Sequence, residues 1–334
     1  LCLGTDGKGT KIFNIPKQLI TDYPFDNNYL DSGTSKVHSV LKDNAGNLWI
    51  AIYQKGVMMI PAQPNSFKYI GYKSINKNII GSNCITSLCR DHEGILWIGT
   101  DNDGIYGITT ELKQKVHYAP HDSPSSVPST VFGLYEDSEH NLWFGSYTNG
   151  LGRLDKKTGQ CSYLQNLTDK NGNRIQRVYD LVEDQDKRLW IATMGAGLFY
   201  YDLKTGQSVY DPKFNAATKK YKWISCLLYA GDNHLYVGTY DGIRCIDLST
   251  DDFKTEEILS RHIIHSLYED PQGNIWIGNS EGLAEWNPQT QQLKTYTTAH
   301  GLSSNAVYAI KGDGQDNLWI STNAGMSRFN LNTH

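Results

Sequence analysis

Asn141-Leu142-Trp143-Phe144-Gly145-Ser146 is one copy of a run that this chain repeats. Other clear copies are Asn47-Leu48-Trp49-Ile50-Ala51, Leu96-Trp97-Ile98-Gly99-Thr100 and Leu189-Trp190-Ile191-Ala192-Thr193. Asn274-Ile275-Trp276-Ile277-Gly278 and Asn317-Leu318-Trp319-Ile320-Ser321-Thr322 follow. Leu235-Tyr236-Val237-Gly238-Thr239 carries Tyr for Trp, and Leu1-Cys2-Leu3-Gly4-Thr5 is a truncated copy. From Trp49 onward the aromatic positions are 48, 46, 47, 46, 40 and 43 residues apart, and six of the eight tryptophans occupy this slot. Self-similarity at such a period marks a repeat architecture.

Each copy has the same internal order. An apolar strand ends in acidic residues, as in Val178-Tyr179-Asp180-Leu181-Val182-Glu183-Asp184. A turn rich in Gly, Asn and Asp closes a hairpin onto the Trp strand, because those residues tolerate positive φ. A Gly-led third strand and a more polar fourth strand complete the unit. Four antiparallel strands every 40 to 50 residues describe a propeller blade. The expected fold is therefore an all-β β-propeller of four-stranded antiparallel blades, seven or eight in number. The repeats run near 37–82, 85–128, 131–175, 178–222, 224–262 and 264–304, with a partial copy at 1–30 and an incomplete one at 307–334. The Trp of each second strand is expected to fill the wedge between neighbouring blades; six equivalent copies argue against a carbohydrate platform. Trp286, outside the slot, reads as core.

The 334 residues carry 31 basic and 35 acidic side chains, a net charge of −4, which gives no general attraction to nucleic acid or anionic lipid. No stretch approaches the ~18 apolar residues of a membrane span. The 21 Tyr and eight Trp suit strands. Six cysteines show no CxxC pair and no zinc spacing; Cys89, Cys226 and Cys245 read as small buried hydrophobes, and a disulfide at Cys84 stays open. No signal peptide is visible. The opening in mid-repeat leads to the expectation of a single propeller taken from a longer protein.

Catalytic chemistry is hard to place. Most carboxylates sit in equivalent turn slots, which suggests solvated turn roles; the Asp-x-x-Gly-Asn turns lack the closing bidentate Glu of a calcium loop, and turn-forming side-chain hydrogen bonds are expected of them. His262 and His265 are three apart, a spacing that argues against shared metal binding. No HExxH, GxSxG or Walker-type loop occurs. The Asp-x-x-Gly-x-x-Trp rhythm is superficially similar to a sialidase Asp-box, but the eight arginines form no matching cluster. Neither catalytic residue, metal nor cofactor is assigned, and a propeller lyase or glycosidase is the third reading, behind a binding module and a protein scaffold.

Binding residues are sought where the repeats differ. If the first strand of each blade is innermost, the loops entering it share a rim with those joining strands two and three. The latter offer Tyr53 and Gln54, Asp101 and Asn102, Tyr147 and Asn149, Met194, Tyr240 and Asp241, Asn279 and Glu281, and Asn323; the entering loops add Arg177, Lys222, Trp223 and His262. Aromatic faces flanked by amides and charged groups suit an oligosaccharide. The candidates are Tyr53, Asn102, Tyr147, Arg177, Lys222, Trp223, Tyr240, Asn279 and Asn323. Trp223 follows the basic run Lys219-Lys220-Tyr221-Lys222, which would attract a sulfated or uronic glycan or, more simply, protect a solvated strand edge.

The run Glu-Asp-x-x-Gly-Asn-Leu-Trp-Ile-Gly-Thr, followed by Gly-Leu, resembles the two-component regulator propeller repeat over essentially the whole chain. Gly301-Leu302-Ser303-Ser304-Asn305-Ala306-Val307 is especially similar to late repeats of such proteins. The resemblance implies the periplasmic sensor region of a hybrid histidine kinase from Bacteroides-like gut bacteria that degrade polysaccharides. It implies a non-catalytic propeller recognising a glycan, with a second propeller, a β-sandwich, a membrane helix and the kinase outside this chain. Neighbouring propeller and β-sandwich domains would be its partners, and a homodimer is compatible with it.

Overall fold

Each hairpin of the repeat that carries Trp in its second strand forms around one carboxylate. In the turn after the first strand, Asp137 accepts from the backbone N–H of Asn141 at 2.8 Å and from the indole N–H of Trp143 at 2.7 Å. The same indole bond joins Asp43 to Trp49, Asp91 to Trp97, Asp184 to Trp190 and Asp270 to Trp276, at 2.7–2.9 Å. These carboxylates are not the solvated turn groups expected from the sequence: Asp91, Asp137, Asp184 and Asp270 are all buried. A buried charge persists only where donors surround it. At Asp91 burial pushes the carboxyl up, but bonds from Trp97, Ile95 and Lys156 outweigh it and hold the pKa below the ordinary value. Where the slot residue is Tyr236, with no indole to offer, the turn residue is Ala230, itself buried.

The computed structural model describes residues 1–23, 34–62, 70–71, 80–82, 84–109, 111, 113–169, 171–210, 223–250 and 253–333. Those residues form eight antiparallel sheets, five of four strands and three of three, in a β-propeller arrangement of blades. Their helical content is one 3-10 turn, Thr298–His300. The chain divides into two compact units, residues 1–83 with 112–114, and residues 84–111 with 115–334. The first holds two sheets and the second holds six. None of the six cysteines is bridged.

In the larger unit the first strands of successive sheets lie side by side in chain order. They are Ile85–Arg90, Val131–Glu136, Val178–Glu183, Ile224–Tyr229, Ile264–Glu269 and Val307–Gly312. The core lies between sheets rather than within one. Trp97 packs with Val131, Leu142 and Phe144 of the next sheet, Trp143 with Leu181 and Ile191, Trp190 with Leu227 and Val237, and Trp276 with Leu318 and Phe329. Tyr236 does the same against Ile264 and Ile277, and Trp286 packs half-buried on that cluster. Trp49 and Trp319 depart from the expectation, standing 38% and 36% exposed. Trp319 belongs to the last sheet of its unit, which has no following sheet there.

Glycine in the Trp-Ile-Gly-Thr run marks where the next sheet's first strand comes closest. A Cβ on Gly145 would stand 2.4 Å from the Val178 carbonyl oxygen, and one on Gly278 2.8 Å from the Val307 side chain. Residues after it close the turn: the Thr100, Thr193 and Thr239 hydroxyls donate to the carbonyls of Gly104, Gly197 and Gly242.

Two stability measurements test this packing. Ala230→Asp buries a carboxylate without its indole; adding Tyr236→Trp should recover about 1–3 kcal/mol in a double-mutant cycle. A cycle showing no coupling would remove the carboxylate–indole bond from the account. Gly145→Ala should cost about 1–3 kcal/mol by denaturant unfolding, because the backbone of the facing strand cannot yield as a side chain can.

Candidate functional site

A register break recurs in each first strand of the larger unit, at its second residue. The ladder jumps from Ile85 to Ser87, Val131 to Gly133, Val178 to Asp180, Ile224 to Cys226, Ile264 to Ser266 and Val307 to Ala309. A bulge leaves one residue out of the pairing and re-aims its side chain. The six bulged residues are Thr86, Phe132, Tyr179, Ser225, His265 and Tyr308. All six line one cavity of ≈ 580 Å³, whose walls are built entirely from first-strand residues. The first strands are therefore innermost in this unit, as the rim expectation required. The smaller unit has the same break between Val37 and Ser39, at His38.

Similar residues flank the bulges: a Val or Ile before each, and a small residue after all but one. The bulged residue itself changes from sheet to sheet. Small ones bond to the neighbouring strand, the Thr86 hydroxyl donating to the Val131 carbonyl and that of Ser225 to the Ile264 carbonyl at 2.5 Å. Large ones pair by ring contact, Phe132 with Tyr179 at 4.5 Å and His265 with Tyr308 at 4.9 Å between centroids. Burial lowers the pKa of His265, favouring the neutral imidazole.

The ring contacts continue from the cavity to the loops above it. Tyr147 meets Phe132 edge-on at 5.9 Å and carries the Arg177 guanidinium over its ring at 5.0 Å. Trp223 meets Tyr240 edge-on at 5.9 Å. Burial raises the Tyr179 phenol pKa, and the neighbouring Tyr240, Asp101 and Tyr147 add to it. Arg177 is held at φ 51°, its N–H donating to the Tyr147 carbonyl and its carbonyl accepting from Met194 N–H. Those two bonds tie the entering loop of one sheet to the strand-two-to-three loops of the preceding sheet and of its own. Tyr147, Trp223 and Tyr240 are each more than 40% exposed.

The remaining candidates separate. Asn102 and Asn323 are exposed on their loops. Asn279 is buried; its carboxamide oxygen accepts from Glu281 N–H at 2.8 Å, so it serves as the turn-closing residue that Thr is elsewhere. Tyr53 lies in the smaller unit, stacked on His38 at 5.1 Å beside a ≈ 420 Å³ hollow lined also by Asp6 and Lys36. Lys222 and its basic run lie outside the described residues. His262 faces Glu281 at 3.2 Å.

Sequence reasoning missed Asp180. The position after the bulge is otherwise small: Ser87, Gly133, Cys226, Ser266 and Ala309. Asp180 puts a carboxylate there, accepting from Leu227 N–H at 2.8 Å and Leu181 N–H at 2.9 Å. The residue keeps some surface open to the cavity, yet its carboxyl is packed round by protein. That burial pushes its pKa up to about 6, against the two backbone bonds that lower it.

A carboxyl whose folded pKa is raised contributes stability that is complete below its unfolded value and is lost as pH rises through the folded one. Lowering the pH from 7 towards 4 should therefore stabilise the protein more than it stabilises Asp180→Asn. The difference of about 2 kcal/mol is read as pH slope, independent of any constant offset the amide introduces. Parallel slopes would refute the buried titration.

Five segments, residues 79–102, 125–148, 169–195, 258–281 and 301–324, match the two component regulator propeller family. No curated protein sequence matches the chain. Among solved structures it is similar to the extracellular domain of the system BT4673 from B. thetaiotaomicron, with TM-score 0.67 and 20% identity over 98% of this chain and 46% of that one. It is similar to the extracellular domain of the hybrid two component system BT3049 from B. thetaiotaomicron, with TM-score 0.51 and 18% identity over 99% and 55%. Virginiamycin B lyase from Staphylococcus aureus aligns with TM-score 0.57 and 14% identity over 89% and 95%. The chain thus spans about half the length of the first two relatives. At these identities the likeness establishes the β-propeller fold, and the five matched segments have the pattern of two-component regulator propeller repeats.

Proposed function

We propose that this chain is the sensor propeller of an extracytoplasmic, hybrid two-component receptor, binding an oligosaccharide without turning it over. The signal passes to a histidine kinase outside the chain. One observation carries the reading. A cavity lined at its bulges by Phe132, Tyr179, His265 and Tyr308 continues through ring contacts to Tyr147 with Arg177. Exposed rings stack on the apolar faces of sugars, while the guanidinium and the loop amides suit hydroxyl or carboxylate groups. Trp223 and Tyr240 supply a second exposed aromatic pair on the loops. The similarity to extracellular domains of B. thetaiotaomicron systems supports the setting.

The test is a thermal-shift screen against plant, host and microbial oligosaccharides, followed by calorimetry and product analysis. Saturable binding of one glycan class, with the sugar recovered intact, is the expected result. Tyr179→Ala and Trp223→Ala should each weaken it tenfold or more, a loss of about 1.4 kcal/mol. A folded protein that binds none of the glycans would transfer the reading to a protein scaffold, and cleavage of the sugar would make it an enzyme.

A further inference from the structure

Adjacent sheets of the larger unit are joined by a second recurring contact, far simpler than the core. The Glu ending one first strand accepts from the backbone N–H of the turn in the preceding sheet: Glu183 from Ser138, Glu269 from Gly231, and Glu136 from His92 at 2.7 Å. The junction around Glu136 alone adds imidazoles. His92 sits in the turn after Ile85–Arg90, and its Nδ1 lies 2.8 Å from Glu136 Oε1. His140 sits in the turn after Val131–Glu136, and its ring stacks on His92 with centroids 3.7 Å apart. A ligand atom from each of the three lies within 4.8 Å of the other two. The equivalent of His92 in the next sheet is Ser138; the equivalents of His140 are Lys187 and Asn233, and like His140 they are held at positive φ.

We propose that His92, Glu136 and His140 bind a divalent transition cation of the zinc class, pinning the sheets of the repeats near 85–128 and 131–175 together. Two imidazole nitrogens and a carboxylate oxygen are a zinc donor set, with water completing the tetrahedron. The Lys156 ammonium, 2.7 Å from Glu136 and 3.3 Å from Asp91, competes with the cation and retains Asp91 as its partner when displaced. The site is independent of the glycan reading, since none of its residues lines the cavity.

The protein supplies its own controls. His92→Ser copies the turn at Ser138, and His140→Asn copies the turn at Asn233, so both variants keep residues that this backbone already accepts. Zinc titrated into the purified protein against a chromophoric chelator should show one site with micromolar or tighter affinity, and zinc should raise the melting temperature reversibly. Each variant, folded by circular dichroism, should lose at least tenfold in affinity and the melting shift with it. Zinc binding unchanged in both variants, or no stoichiometric binding by the parent protein, would overturn the proposal.

Discussion

The bond from a buried turn carboxylate to an indole N–H holds the rest of this structure in place. It fixes the hairpin and, through the hairpin, the orientation of the large ring that fills the space against the next sheet. A tryptophan packed on the strands of a neighbouring sheet still has a polar edge, and that edge must be satisfied inside the protein. The aspartate does so while also capping the turn, so one side chain settles local geometry and long-range packing together. The sheet that carries Tyr236 shows the dependence by giving up both partners, with Ala230 in place of the aspartate.

Much of this was legible in the sequence because it repeats. The Trp slot, the order of strands and the burial of most slot aromatics follow from spacing and alternation, while the innermost position of the first strands was a condition that the sequence did not supply. The environment of the aspartates did not. Acidic residues in turns read as solvated, and only the position of the indole six residues on reveals otherwise. Trp49 and Trp319 have the same motif as their buried counterparts, so their exposure depends on what lies beyond the sheet and not on local residues.

The candidate site was legible only at its edge. Tyr147, Arg177, Trp223 and Tyr240 were found as loop residues that vary, and the structure brings them into ring and cation contacts. Asn279 was misjudged because a position that varies need not face a ligand; it takes the turn-closing place of Thr. The cavity wall was missed because an unbroken strand would alternate, and alternation assigns Phe132 or Tyr179 to a face of the sheet. The bulge changes that, and its trace in sequence is a recurring Val or Ile followed by a residue that varies among the copies.

The bulges also separate two demands that most binding sites place on the same residues. A bulged side chain takes no part in the register of its ladder, and the strong inter-sheet packing is carried by its neighbours. Six cavity positions can therefore change identity one at a time while the hairpins, the indole bonds and the close glycine contacts stay as they are. The scaffold behaves as a frame with exchangeable tiles: the frame tolerates a new residue at each, and the epistasis that remains is confined to tiles that touch, Phe132 with Tyr179 and His265 with Tyr308.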